Sequence, residues 1–175
     1  MGLRDLKKEL NKLDKETLIK HITELYTKFG NVKEYYDLYT NQNEEKLLNK
    51  YKERVKKAFF IRRFECDLSM AKKAIADFKK LGVSPEIYAN LLLYHVECCV
   101  EYINEFGENN FSFFTSITNY FYECLGIYYE EKVLQKYEES VRTLIKTYPR
   151  LNSNLGMSLD EIFYEYYDYL DEEVE

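Results

Sequence analysis

The sequence has little of what loops, sheets and membrane spans require. It has no Trp, two Pro and six Gly among 175 residues, too few turn-forming residues for a loop-dominated or all-β chain. Its most apolar run, Tyr88 to Val100, contains polar residues and falls short of the ~20 apolar residues of a membrane helix. The first residues are charged and lack the apolar region of a secretory signal. We therefore expect a globular, cytoplasmic protein.

Residues that ligate metals or act as nucleophiles are also scarce, with four Cys and two His. His95, Cys98 and Cys99 share helical spacing and form the strongest candidate for a metal- or thiol-dependent site. A structural zinc site uses four ligands, however, and His95 falls in the middle of an apolar helix face. We favour a core histidine between two small thiols. The sequence predicts no catalytic residue, no metal ligand and no cofactor.

Helical periodicity is the dominant pattern of the sequence. Apolar residues recur every three to four positions, and no run alternates over the length of a strand. This pattern predicts an all-α protein of about eight helices in antiparallel pairs, forming a single-domain bundle or short solenoid. The domain is expected to span 1–175, and sub-lobes 1–81 and 82–175 could subdivide it.

Capping residues mark several helix starts. Asp14 is expected to cap the second helix, and Ser84 followed by Pro85 marks the start of another. The helix from Pro85 to about Phe106 has only a narrow polar stripe, so we predict that it is mostly buried.

The C-terminal part contains further helix boundaries. Gly126 is expected to break or bend a helix, and another is predicted from Tyr128 to Tyr148. Ser158 fits the cap of the last helix. That helix is acidic and aromatic, and we expect it to dock on the basic segment 46–80.

The net charge of −6 hides two opposite segments. Residues 46–80 hold 12 basic and 4 acidic residues, a net +8, whereas residues 81–175 hold 5 and 18, a net −13. The candidate basic binding residues are Lys46, Lys50, Arg54, Lys57, Arg62, Arg63, Lys72 and Lys73. Such a stripe fits phosphate contact. The acidic chain and the lack of a helix-turn-helix pattern favour a protein partner instead.

Acidic residues form a stripe of their own on the predicted central helix. Its members are Glu86, Glu97, Glu101 and Glu108. The stripe is expected to face solvent, or to receive the basic stripe of a neighbouring helix or subunit.

Aromatic residues are abundant, with 18 Tyr and 11 Phe. Tyrosine is common in binding surfaces, but most of these residues fall on helical core faces. We therefore favour the compositional bias of an AT-rich genome as the cause of the excess. A candidate pocket with convergent polar groups is expected around Tyr94, His95 and Glu97, together with the paired Tyr35 and Tyr36.

Several short motifs resemble those of a known family. They are Leu25-Tyr26, Val32-Lys33-Glu34-Tyr35-Tyr36, Leu81-Gly82-Val83 with Pro85, and Leu93-Tyr94 with Glu97. With these motifs the chain resembles an uncharacterised bacterial family of helical proteins, domain of unknown function 6155. The resemblance implies a small, helical bacterial protein and carries no activity.

From these patterns we expect a non-enzymatic protein-interaction module. It would present oppositely charged helix faces to a protein partner or to a second copy of itself. Nucleic-acid binding through segment 46–80 is one alternative. A metal- or thiol-dependent enzyme around His95, Cys98 and Cys99 is the other.

Overall fold

The computed structural model describes residues 2–41, 43–59, 65–107, 111–148 and 159–172. Within these ranges the chain forms nine α-helices and no β-strand, which confirms the all-α class. The helices are α1 (Leu3–Leu10), α2 (Lys15–Lys28), α3 (Gly30–Asn41), α4 (Glu44–Phe59), α5 (Leu68–Lys80), α6 (Pro85–Phe106), α7 (Phe111–Glu130), α8 (Leu134–Thr147) and α9 (Leu159–Glu172).

The helices divide between two compact units, Met1–Asn43 and Glu44–Glu175. In the first unit α2 packs on α3, and the Tyr26 hydroxyl donates to Asp37 Oδ1 at 2.7 Å. The predicted cap at Asp14 is confirmed, because its carboxylate accepts from the Thr17 N–H at 2.7 Å. The described apolar side chains of this unit are exposed or half-buried.

The second unit is built around α6. Twelve of its 22 residues are buried, which confirms the burial predicted from its narrow polar stripe. Helices α4, α5, α7 and α8 all pack against it. Helix α7 runs antiparallel to α6, since Tyr88 meets Glu123 at one end and Tyr102 meets Phe113 at the other. The sub-lobe boundary expected at 81/82 falls inside this unit.

Helix α4 is amphipathic. Its buried face consists of Leu48, Tyr51, Val55, Ala58 and Phe59. It runs antiparallel to α5, with the rings of Tyr51 and Phe78 4.8 Å apart and the Asp67 N–H donating to the Ala58 carbonyl. Because the apolar face is turned inward, lysines on the opposite side of α4 face solvent.

Gly126 does not break its helix, so the predicted boundary before Tyr128 is wrong. Helix α7 continues to Glu130 because its buried face runs on through Cys124, Leu125 and Tyr128. The helix ends in a left-handed turn at Lys132, whose φ is +58°. The Val133 N–H then donates to the Tyr128 carbonyl at 2.9 Å.

Helix α9 packs on α7 and α8, so the expectation that it docks on segment 46–80 is wrong for the residues described. The Tyr167 hydroxyl donates to the Leu134 carbonyl at 3.0 Å, and the Arg142 guanidinium lies 4.6 Å from the centre of the Phe163 ring. Burial of this aromatic face outweighs attraction between exposed charges. The predicted cap Ser158 lies outside the described residues.

Candidate binding groove

A groove of about 840 Å³ lies between α6 and α8. The two helices run parallel, since Glu86 meets Tyr137 near their starts and Asn104 meets Thr147 near their ends. The described residues that line it are Glu97, Val100, Glu101, Asn104 and Glu105 from α6, and Glu139, Ser140, Thr143, Leu144 and Thr147 from α8. All four charged residues among them are glutamates. We call this surface the acidic groove.

The acidic groove places carboxylates at regular intervals along α6. Glu97, Glu101 and Glu105 are four residues apart, so they lie on one side of the helix at intervals of about 6 Å. Glu139 adds a fourth carboxylate from α8. A row of negative charge at this spacing suits cationic side chains presented by another helix or extended chain.

Neutral groups complete the lining. Ser140 and Thr143 offer hydroxyls, and the Asn104 amide donates to the Thr147 carbonyl at 2.8 Å, tying the two helices together at this end. Val100 and Leu144 supply apolar surface on which the methylene stem of a lysine could pack.

Glu97 is the most enclosed of the groove carboxylates. Burial raises its pKa, and the Lys52 ammonium works against that shift. Lys52 extends from α4, with its Nζ 5.1 Å from the centre of the Tyr94 ring. Lys52 therefore places a positive charge of α4 beside Glu97 at this end of the groove.

A polar network fixes the other end of α6 and α8. The Tyr137 hydroxyl donates to Glu86 Oε1 at 2.6 Å, and Lys136 forms an ion pair with the same oxygen. These contacts lower the Glu86 pKa. Asn90 Nδ2 donates to the Tyr137 hydroxyl at 3.0 Å, and the Tyr128 hydroxyl donates to Asn90 Oδ1 at 2.7 Å. Glu86 thus serves the helix packing, and Glu108, the last member of the predicted acidic stripe, lies outside the described residues.

The start of α6 is also held by a carboxylate. Ser84 makes no side-chain cap; its N–H donates to Glu44 Oε1 at 2.7 Å, and its hydroxyl donates to the second oxygen of that carboxylate. This contact joins the first turns of α4 and α6.

His95 and the neighbouring thiols lie in the core and not in the groove. His95 is fully buried between the rings of Phe59 and Tyr120, whose centroids are 5.4 Å and 4.8 Å away. Its Nε2 lies 3.7 Å from Cys99 Sγ. Burial lowers the His95 pKa to about 3, with a smaller effect from Lys72.

The thiols are equally withdrawn from solvent. Burial raises the pKa of Cys98 to about 12 and that of Cys99 well above its usual value. Such thiols remain protonated at neutral pH and are poor nucleophiles. Among the described residues, no group of three or more His, Cys, Asp or Glu side chains could hold a metal ion.

The predicted pocket residues occupy different surroundings. Glu97 lines the acidic groove, Tyr94 packs under Lys52, and His95 is enclosed by the core. Tyr35 and Tyr36 belong to α3 of the first unit, where their rings form an edge-to-face pair with centroids 5.4 Å apart.

The predicted basic residues lie mainly on the outer sides of two helices. Lys46, Lys50 and Lys57 on α4 are exposed, as are Lys72 and Lys73 on α5. We call the three α4 lysines the basic face. Arg54 is half-buried, its guanidinium 4.3 Å from the centre of the Tyr51 ring. Arg62 and Arg63 lie outside the described residues.

The α8 residues of the groove are not among those predicted from the sequence. Glu139, Ser140 and Thr143 resemble any exposed helix face, because nothing local shows that α8 lies beside α6. The one available clue was on α6, where Glu97, Glu101 and Glu105 repeat every four residues.

The fold and site define an all-helical protein with an acidic groove between two parallel helices. Residues 1–156 match a family of unknown function, DUF6155, and the chain belongs to that family. Neither a curated protein nor a solved structure matches the chain significantly. In the part of the chain that the structure describes, no helix is long and apolar enough to span a membrane.

Proposed function

We propose that this chain is a protein-interaction module whose acidic groove binds a lysine- or arginine-rich segment of a partner protein. The observation that supports this proposal is that, among the described residues that line the groove, all those that carry a charge are acidic: Glu97, Glu101, Glu105 and Glu139. Specific recognition needs charge complementarity and a concave surface that excludes some water. The groove offers both.

The expected strength of such binding is modest. An exposed ion pair contributes roughly 0.2–1 kcal/mol, so two or three pairs would supply on the order of 0.4–3 kcal/mol. Packing of lysine stems on Val100 and Leu144 would add apolar burial. Because Glu101, Glu105 and Glu139 are exposed, binding should weaken as salt is added.

A fluorescein-labelled hexalysine peptide tests the proposal by fluorescence anisotropy. We expect salt-sensitive binding that becomes about fivefold weaker in the double variant Glu101→Gln/Glu105→Gln. The matched control, Glu130→Gln/Glu131→Gln, makes the same charge change at exposed residues of the α7 end. Absence of binding, or equal weakening in both double variants, would contradict the proposal.

Nucleic-acid binding through segment 46–80 is the second candidate, supported by the exposed lysines of α4 and α5. A labelled single-stranded DNA of mixed sequence distinguishes it in the same assay. Tighter binding of DNA than of hexalysine, lost in Lys50→Glu/Lys57→Glu, would favour this alternative.

The proposal includes a non-enzymatic role and a cytoplasmic setting. Cys98, Cys99 and Cys124 form no disulfide, as expected in a reducing compartment. Burial of Cys98, Cys99 and Cys124 speaks against a thiol-dependent reaction, since each raised pKa keeps the sulfur protonated.

A further inference from the structure

We infer that the acidic groove binds the basic face of a second copy of this chain. The inference rests on the proposed function and names the partner. It starts from charge complementarity within one unit, because the groove on α6 and α8 and the basic face on α4 both belong to Glu44–Glu175.

The two surfaces are similar in length and opposite in charge. Carboxylates on α6 recur every four residues from Glu97 to Glu105, a length of about 12 Å along the helix. Lysines on the outer side of α4 extend from Lys46 to Lys57, about 16 Å. Lys46 and Lys50 are four residues apart, the same interval as Glu101 and Glu105, so two opposite charges can align at once. The exposed Glu53 separates Lys50 from Lys57.

The basic face must come from another molecule. Helix α4 turns Leu48, Tyr51 and Val55 into the core of its own unit. Lys50 and Lys57 lie on the opposite side of that helix and are exposed, so they point away from α6 and its groove. Because a chain of net charge −6 repels its copies overall, association depends on local attraction between the basic face and the groove.

Sedimentation velocity of the full chain tests the inference. At about 50 mM NaCl the sedimentation coefficient should rise with protein concentration up to about 200 µM, and at about 500 mM NaCl the rise should disappear. A chain that stays monomeric throughout at low salt overturns the inference.

Charge reversal supplies the specific test. The groove variant Glu101→Lys/Glu105→Lys and the face variant Lys50→Glu/Lys57→Glu should each sediment as a monomer. Mixed in equal amounts they should associate again, because the intact basic face of one variant meets the intact groove of the other. Circular dichroism melting of each variant establishes that it is folded before mixing.

The outcomes separate this inference from the proposed function. A wild-type monomer that binds hexalysine overturns self-association and leaves groove binding intact, whereas a monomer that binds no hexalysine overturns both. Association that survives the groove variant, or a mixture that fails to associate, shows that other surfaces are involved and overturns the inference. The control Glu130→Lys/Glu131→Lys should leave wild-type association unchanged.

Discussion

Protonation of His95 is expected to destabilise the fold between about pH 7 and pH 4. The imidazole has no exposed surface and lies between the rings of Phe59 and Tyr120. Its Nε2 contacts the Cys99 thiol at 3.7 Å, and no described residue gives Nδ1 a hydrogen-bond partner. A proton added here would create a buried charge without a counter-ion, close enough to Lys72 to be repelled by it.

The size of the effect follows from the two pKa values of His95, about 3 in the folded chain against 6.5 when unperturbed. Since the folded-state pKa is lower, the unfolded chain binds the proton more readily and stability falls as the pH drops below 6.5. One pKa unit corresponds to about 1.4 kcal/mol. The linkage relation then gives a loss of about 2 kcal/mol at pH 5 and about 3 kcal/mol at pH 4.

Urea unfolding of the wild type and of His95→Phe, at about pH 7.5 and pH 5, measures this loss. Phenylalanine keeps an aromatic ring in the site and removes the titration. The wild type should lose about 2 kcal/mol more than the variant over this interval. Carboxyl groups titrate in both proteins, so their contribution, including that of Glu97 with its raised pKa, cancels in the difference.

The other histidine provides the control. His21 is exposed on α2, so His21→Gln should retain the pH dependence of the wild type. If the unfolding free energies of wild type and His95→Phe depend equally on pH, the prediction is wrong. That result would mean that His95 is hydrated or paired once protonated.

Three further predictions concern stability at neutral pH, each measured by urea unfolding. Lys132→Gly should stabilise the chain by about 1 kcal/mol, because Lys132 has a φ of +58° at a helix end where glycine is unstrained; an unchanged midpoint would contradict this. Asn90→Ala should cost about 1–3 kcal/mol, because the buried Tyr128 hydroxyl loses its acceptor and the Tyr137 hydroxyl a donor. Tyr167→Phe should lower the free energy of unfolding by about 1 kcal/mol, because it removes the hydrogen bond to the Leu134 carbonyl. A variant as stable as the wild type would contradict this.

Local patterns account for most of what the sequence could predict. The Asp14 cap and the burial of α6 depend on patterns within single helices, and the structure confirms both. The error at Gly126 has a tertiary cause. A Cβ there would come within 3.3 Å of the Tyr166 hydroxyl, so this glycine leaves room for a side chain of α9, and α7 continues through it. Sequence spacing cannot distinguish a glycine that breaks a helix from one that makes room for a neighbour.

The acidic groove lies beyond local patterns for a related reason. Its two walls, α6 and α8, are separated in sequence by α7, and their parallel arrangement is held by pairs 43 to 51 residues apart, such as Asn104 with Thr147 and Glu86 with Tyr137. The sequence showed a negative C-terminal segment, but it could not show which carboxylates share a concave surface. Helix packing places these carboxylates in different surroundings. Glu86 contacts Lys136 and Tyr137 at the starts of the two helices. The carboxylates that line the groove are Glu97, Glu101, Glu105 and Glu139, and charge reversal of Glu101 and Glu105 tests their role.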